Sequence, residues 1–204
     1  MAWNFYNGAG AAKTTSSVTF VTSLPSSPFD GQEIYYQSST AGTGGGSTNS
    51  MADVGAVWHL RYRAASSSSY KWEFVGGSIL VAVVATSETT SSGTYADPAT
   101  VGPVITLPLA GDYNIGTAAT TVNSTVGYGV AVSFSVSGGA AGTASDVDAF
   151  RITTVTASAL QATATFAYKT GLTAAAVTMR YRVTGGGTAT VSNRTLTALP
   201  TRVG

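Results

Sequence analysis

The chain has 204 residues and a formal net charge of +1; 44% of its residues are hydrophobic and only 9% are charged. This length allows one large β domain or two small ones around a buried core. Disordered chains combine low hydrophobicity with high net charge, so the composition argues against disorder. The 10 basic and 9 acidic residues nearly balance. Because nucleic-acid binding requires a basic stripe that neutralises phosphates, we expect no nucleic-acid partner.

The sequence contains no cysteine, which excludes disulfides and thiolate metal sites. We expect no other metal site and no cofactor. Residues 1–6 lack a basic region followed by an apolar one, so we expect no signal peptide. The longest aliphatic run is residues 79–85, whereas a helix that spans a membrane needs about 20 residues. We therefore expect no insertion into a membrane.

Residues 1–77 predict a small N-terminal module built as a β meander. Alternating apolar and polar side chains predict four strands, at residues 18–21, 33–37, 57–63 and 70–75. Aromatic side chains dominate one face of the last two strands, which indicates an aromatic core. Residues 38–53 are rich in Gly, Ser and Thr and predict an exposed loop. Gly76 and Gly77 mark the predicted end of the module.

Residues 78–204 predict an antiparallel β-sandwich, with the jelly roll as the leading topology. The candidate strands, separated by turn signals, are residues 79–87, 101–107, 111–117, 127–137, 149–156, 160–170, 177–183 and 188–199. Gly185, Gly186 and Gly187 predict a hairpin turn that joins the last two strands. The fold class is thus all-β, with a meander module followed by a sandwich.

No group of residues in the sequence forms a convincing catalytic constellation. A serine-type triad would have to use His59, the only histidine, which lies in an alternating strand without a nucleophile motif nearby. We expect it to be an ordinary structural histidine. Asp146 and Asp148 could contribute to a calcium site, but two carboxylates alone are too few, so we expect a solvated loop. We therefore predict that the protein is not an enzyme.

Paired arginines occur at strand spacing in both segments. Arg61 with Arg63, and Arg180 with Arg182, each point to one sheet face. They are either solvated or anchors for carboxylates on another subunit. The aromatic side chains of Trp58, Tyr62, Tyr70 and Trp72 either fill the small N-terminal core, which we expect, or stack on sugars.

Two sets of segments resemble known virion proteins. The first resembles an N-terminal module of small virion proteins from tailed phages, particularly those that infect actinobacteria; it comprises residues 24–37, with the run Asp30-Gly31-Gln32-Glu33-Ile34-Tyr35-Tyr36-Gln37, and residues 58–63 and 70–77. The second resembles the jelly-roll domain of phage fibre and decoration proteins; it comprises residues 169–174, 179–182, 185–190, 193–196 and 200–204. The resemblance implies a virion protein that oligomerises, commonly as a trimer, and it implies no catalytic residue.

The predicted function is that of a structural protein on the surface of a tailed-phage particle. Decoration of the capsid, or a head fibre, is the leading hypothesis, with the major capsid protein as partner. The alternative is a short tail fibre or tail-tip protein that partners a tail protein and recognises a host surface glycan. We expect particle docking through Trp58, Arg61, Arg63 and Trp72. Residues 153–178 contain Lys169 as their only charged residue, so we expect a homotrimer. The residues predicted to form its interface are Leu160, Ala162, Ala164, Phe166, Arg180 and Arg182.

Overall fold

The computed structural model describes residues 20–38, 56–137, 143–155 and 160–204, and these form an all-β protein. A single short 3-10 turn, Asp146–Asp148, is the only helical element among them, and no helix there is long and apolar enough to cross a membrane. The thirteen strands in chain order are β1 Phe20–Val21, β2 Glu33–Gln37, β3 Val57–Tyr62, β4 Trp72–Gly77, β5 Leu80–Val84, β6 Glu88–Thr90, β7 Val104–Thr106, β8 Gly111–Asn123, β9 Gly129–Val136, β10 Phe150–Thr153, β11 Gln161–Leu172, β12 Ala176–Thr184 and β13 Ala189–Val203.

From β5 onward the strands form a jelly roll of two packed sheets. In one sheet, β5 and β6 both pair with β13, which is followed by β8 and then β11. The other sheet has the order β10, β9, β12 and β7. Every pairing within these two sheets is antiparallel. Apolar side chains from both inner faces fill the space between the sheets. This confirms the predicted fold class.

The eight strands predicted for residues 78–204 are all present, but one predicted connection is wrong. The residues of the Gly185–Gly187 turn all have positive φ angles of 75° to 125°, which glycine adopts readily. The strands on either side, β12 and β13, lie in opposite sheets and do not pair. The turn therefore carries the chain from one sheet to the other instead of closing a hairpin. The alternation within each strand is the same in both arrangements, so the sequence could not separate them.

The N-terminal meander continues the larger sheet. Strands β2, β3 and β4 are antiparallel neighbours, and β4 pairs with the end of β13 through Trp72 and Val203. The indole of Trp58 is fully buried, packs 6.4 Å from the Tyr113 ring, and donates a 2.8 Å hydrogen bond from Nε1 to the carbonyl of Ser78. The meander and the sandwich thus share one hydrophobic cluster. The boundary at residue 77 stays a prediction, and residues 1–19 and 39–55 lie outside the described ranges.

A bulge in β13 reverses which side chains face the core. Register with β8 shifts between Ser192 and Thr195, where Asn193 has a positive φ of 48°. Before the bulge Val191 points inward, and after it Arg194 does. The Arg194 side chain is 0% exposed and pairs with Glu88 at 2.8 Å. Its Nη1 also donates to the carbonyls of Thr100 and Gly102. This buried cation fixes the long connection between β6 and β7.

Candidate functional site

Two of the four residues predicted for particle docking are part of the core. Trp58 and Trp72 are buried, because they occupy the inward-facing positions of β3 and β4. This corrects their assignment to a docking surface. Arg61 and Arg63 are exposed on the solvent side of the meander. Arg61 donates from Nε and Nη2 to Glu33 at 2.9 and 2.6 Å, and Arg63 lies 3.5 Å from Glu73. Both arginines are therefore held by carboxylates of this chain.

The single histidine belongs to the same solvent-facing side of the meander. The His59 ring stacks on Tyr35 at 4.7 Å with an angle of 3° between the planes. Its Nε2 lies 2.9 Å from the Glu33 carboxylate. The hydrogen bonds from Arg61 and His59 lower the pKa of Glu33. These contacts agree with a structural role for the histidine.

The outward row of β11 contains the apolar residues predicted for the oligomer interface. Leu160, which precedes the strand, is 67% exposed and Phe166 is 74% exposed, with Ala162 and Ala164 exposed between them. Tyr168 extends the row and is 52% exposed.

The neighbouring strands continue this row as one uncharged surface, which we call the outer sheet face. Residues directly opposite each other in adjacent strands share a face. The register places these members together: Ala162, Ala164, Phe166 and Tyr168 of β11; Asn114, Gly116, Ala118 and Thr120 of β8; Ser192, Thr195, Thr197 and Leu199 of β13; and Val81 and Val83 of β5. None of these side chains carries a charge.

The only charged side chain of β11 is directed away from the outer sheet face. Lys169 occupies an alternate position to Tyr168 and is half-buried. Its Nζ lies 2.5 Å from the Asp148 carboxylate and 5.8 Å from the centre of the Phe134 ring. The ion pair at the inner side of the strand therefore leaves the outer side free of charge.

The structure does not bring Arg180 and Arg182 to this face. Both lie on β12, in the smaller sheet, and occupy outward positions between the buried Met179, Tyr181 and Val183. The outward sides of the two sheets are opposite surfaces of the sandwich. The residues predicted as one interface therefore fall on two separate surfaces.

Arg180 and Arg182 instead line an open groove of about 620 Å³ over the smaller sheet. We call it the β9–β12 groove. The rest of its lining comes from one loop before β7, from β9 and from the segment before β10; these residues are Gly93, Thr94, Tyr95, Ser135, Thr143, Ala144, Ser145 and Asp146. Hydroxyl groups and charged groups thus share one concave surface.

Asp146 is the centre of the groove's ion pairs. Arg182 donates to it from Nε and Nη2 at 2.8 to 3.2 Å, Tyr95 Oη donates at 2.8 Å, and Arg151 forms a further ion pair. The hydrogen bonds from Arg182 and Tyr95 lower the pKa of Asp146. Burial, and then the hydrogen bond to Asp146, raise the pKa of Tyr95 to about 12. Asp146, which was predicted to lie in a solvated loop, therefore forms ion pairs with Arg151 and Arg182.

Arg180 is fixed in a similar way at the other side of the groove. Its Nε donates to Ser135 Oγ at 2.9 Å, and its Nη1 forms an ion pair with Asp97. Neither Tyr95 nor Asp97 stood out in the sequence, because both lie in a polar connection without a periodic pattern. The strand spacing of Arg180 and Arg182 was the one available signal.

Structural comparison finds distant similarity to chains of infectious bursal disease virus. A chain of the Gx strain aligns with a TM-score of 0.39 and 14% identity over 87% of this chain and 53% of that chain. A chain of the VP2 subviral particle aligns with a TM-score of 0.37 and 13% identity over 72% of this chain and 42% of that chain. A chain of T=1 particles derived from the virus aligns with a TM-score of 0.37 and 11% identity over 98% of this chain and 62% of that chain. This chain spans about half the length of the first of these. No protein-family model and no curated protein matches the sequence.

Proposed function

We propose that the protein is a structural component on the surface of a tailed-phage particle, as a capsid decoration or head-fibre protein. It docks to the shell through the meander and associates with further copies of itself through the outer sheet face. The observation that carries the proposal is the outer sheet face itself, which is uncharged over four adjacent strands. The phage context comes from the sequence resemblance of residues 24–37, 58–63 and 70–77 and of the segments between residues 169 and 204 given above.

The outer sheet face is unlike the surface of a soluble monomer. Such surfaces are about 25–35% charged, and contiguous apolar patches above a few hundred Å² are rare. The members of the face span about seven residues in each of β8, β11 and β13 and about three in β5. At a strand spacing of about 4.8 Å and about 3.3 Å per residue, they cover about 400 Å². A stable interface buries about 800 Å² per partner, so the face supplies about half of one. Phe166 and Tyr168 supply aromatic contacts of the kind that dominate interface energies.

Another copy of this chain fits the outer sheet face better than a charged partner does. A surface without charge offers nothing to pair with a partner's charged groups, and desolvating those groups would weaken binding. An identical chain brings equally uncharged strands. We propose a homotrimer with closed symmetry, the oligomer that the resemblance to phage virion proteins implies, in which the faces of the three copies turn toward a common three-fold axis and contact one another. A dimer would instead pair two faces across a two-fold axis.

The copy number per particle tests the proposal and separates it from its alternative. Quantitative mass spectrometry of purified phage particles that encode the chain gives this number relative to the major capsid protein. Hundreds of copies are the expected result for a decoration or head-fibre protein. A handful of copies would support the short tail fibre or tail-tip protein that recognises a host glycan. Absence of the chain from purified particles would contradict both.

The non-enzymatic part of the proposal has its own test. In the described ranges, His59 contacts Tyr35 and Glu33, and Asp146 contacts two arginines and a tyrosine, so these groups serve ion pairs. We expect no hydrolysis of host cell-wall polysaccharide by the purified protein. Turnover that disappears when a single carboxylate is replaced would contradict this expectation.

A further inference from the structure

We propose that the β9–β12 groove binds an acidic saccharide and that Arg180 contacts its carboxylate. This inference concerns a surface opposite to the outer sheet face, and it stands or falls independently of self-association and of the particle. It rests on three features of the groove: an excess of positive charge, a guanidinium nitrogen that the described protein leaves free, and a lining of hydroxyl groups.

Positive charge exceeds negative charge by one around the groove. The three arginines are Arg151, Arg180 and Arg182, and the two carboxylates that pair with them are those of Asp97 and Asp146. The nearby Asp148 is neutralised by Lys169. One ligand carboxylate beside Arg180 balances the cluster.

Of the two arginines that line the groove, Arg180 is the one with donors to spare. A guanidinium has five N–H donors, and Arg180 uses Nε toward Ser135 and Nη1 toward Asp97. Among the described residues its Nη2 has no hydrogen-bond partner. Arg182, in contrast, donates hydrogen bonds from Nε and Nη2 to Asp146 and from Nη1 to the Val183 carbonyl. We therefore assign the contact with the ligand carboxylate to Arg180, where a charge-assisted hydrogen bond forms.

Hydroxyl groups beside Arg180 favour a saccharide over a small carboxylate. Ser135 Oγ accepts the hydrogen bond from Arg180 Nε, so its own hydrogen is free to donate. Thr143 adds a further hydroxyl group to the lining, and the hydroxyl groups of Thr94 and Ser145, which lie 3.3 Å from Ser92 Oγ and Asp148 Oδ2, complete it. The volume of about 620 Å³ lies within the range of small-molecule sites, and the open side admits a chain of sugars.

The groove is also held in place before a ligand arrives. Ser135 and Asp97 fix Arg180, while Asp146 and the face of the Tyr95 ring, 5.3 Å away, fix Arg182. A side chain that is already ordered loses little conformational entropy on binding. This order raises the affinity for a ligand of matching shape.

The direct test measures binding of trigalacturonate to the full chain by amide and arginine side-chain NMR shifts. Maltotriose, a neutral trisaccharide, and acetate, a carboxylate without a sugar, are the ligand controls. We expect trigalacturonate to shift resonances around the groove, and both controls to bind at least roughly tenfold more weakly. No binding at about 10 mM trigalacturonate would overturn the proposal. Equal binding of maltotriose, or of acetate, would overturn it too.

Variants assign the binding to Arg180. We expect Arg180→Gln to weaken trigalacturonate binding roughly tenfold, because it removes the charge and the fork of donors. Ser135→Ala tests the neighbouring hydroxyl and should weaken binding by a smaller factor; it also keeps the test decisive if Arg180→Gln does not fold. Arg61→Gln is the matched control, an arginine on the meander that also pairs with a carboxylate. Unchanged binding in folded Arg180→Gln or, where that variant does not fold, in Ser135→Ala would overturn the assignment.

Discussion

The ring of Phe166 lies over Gly116 in the neighbouring strand, on the outer sheet face. The two residues are directly opposite each other in the register of β11 and β8. A Cβ atom on Gly116 would come within 2.6 Å of Cε1 of Phe166 and within 2.4 Å of the Thr197 hydroxyl. Aromatic side chains cover glycines in this way in many sheets. The position of the most exposed aromatic ring on the face is therefore set by the missing side chain at residue 116.

Replacing this glycine should disturb association more than folding. In Gly116→Ala the new methyl group displaces the flexible Phe166 and Thr197 side chains, while the backbone keeps its strand conformation. We expect the free energy of unfolding to change by about 1 kcal/mol or less, and the association constant to fall. Urea unfolding and sedimentation equilibrium measure the two effects. A large loss of stability without weaker association would contradict the role of Phe166 at the interface.

The buried pair of Arg194 and Glu88 should matter strongly for stability. Burial acts to raise the pKa of Glu88, but hydrogen bonds from Thr100 and the charge of Arg194 outweigh it and lower the pKa. Replacing Arg194 with Met leaves a carboxylate in a nearly buried position without its cation. We expect a loss of about 3–5 kcal/mol in urea unfolding.

A double variant checks the cause of that loss. Arg194→Met combined with Glu88→Gln removes both charges, so part of the loss should be recovered. If the double variant is as unstable as the sum of the two single variants, the pair is not coupled in the folded protein.

Tyr95 should ionise late in an alkaline titration. Its pKa is raised from 10.0 to about 12 by burial and by the hydrogen bond to Asp146. A raised folded pKa contributes stability that is fully present below pH 10 and is lost as pH rises through about 12. The difference in absorbance at 295 nm between the unmodified chain and Tyr95→Phe should therefore show a midpoint near pH 12. A difference midpoint near pH 10 would contradict the hydrogen bond.

The boundary near residue 77 leads to a prediction about the fragment 78–204. Its jelly-roll strands are complete, so we expect a β-type circular dichroism spectrum. Without Trp58 and its neighbours, the apolar side chains of Tyr113 and Leu172 lose part of their cover, so the fragment should be less stable than the full chain. An unfolded fragment would show that the two segments form a single folding unit.

The sequence predicted the strands well because alternation of apolar and polar residues is a local signal. It also placed Leu160, Ala162, Ala164 and Phe166 on one face, since that spacing is the period of a strand. It did not predict the phase reversal at Asn193, because a bulge depends on a positive φ angle in one residue. The burial of Arg194 follows from that bulge and could not be predicted either.

The β9–β12 groove could not be predicted from the sequence for a different reason. Arg180 and Arg182 were recognised as a pair, but their partners Asp97 and Asp146 are distant in the chain. Only the antiparallel pairing of β9 and β12, and the two connections above them, bring the four residues together. A single sequence carries no signal of such contacts between irregular segments.

Sedimentation velocity of the intact chain at micromolar concentration tests whether the protein forms a trimer through the outer sheet face. We expect one species of three times the 20.5 kDa chain mass. Ala164→Glu, which places a charge on the outer sheet face, should shift this species toward the monomer, because an unpaired charge in an interface is costly. Val126→Glu, at an exposed loop residue outside the face, should leave it unchanged. A stable monomer of the unmodified chain, or association that is insensitive to Ala164→Glu, would contradict self-association through the outer sheet face.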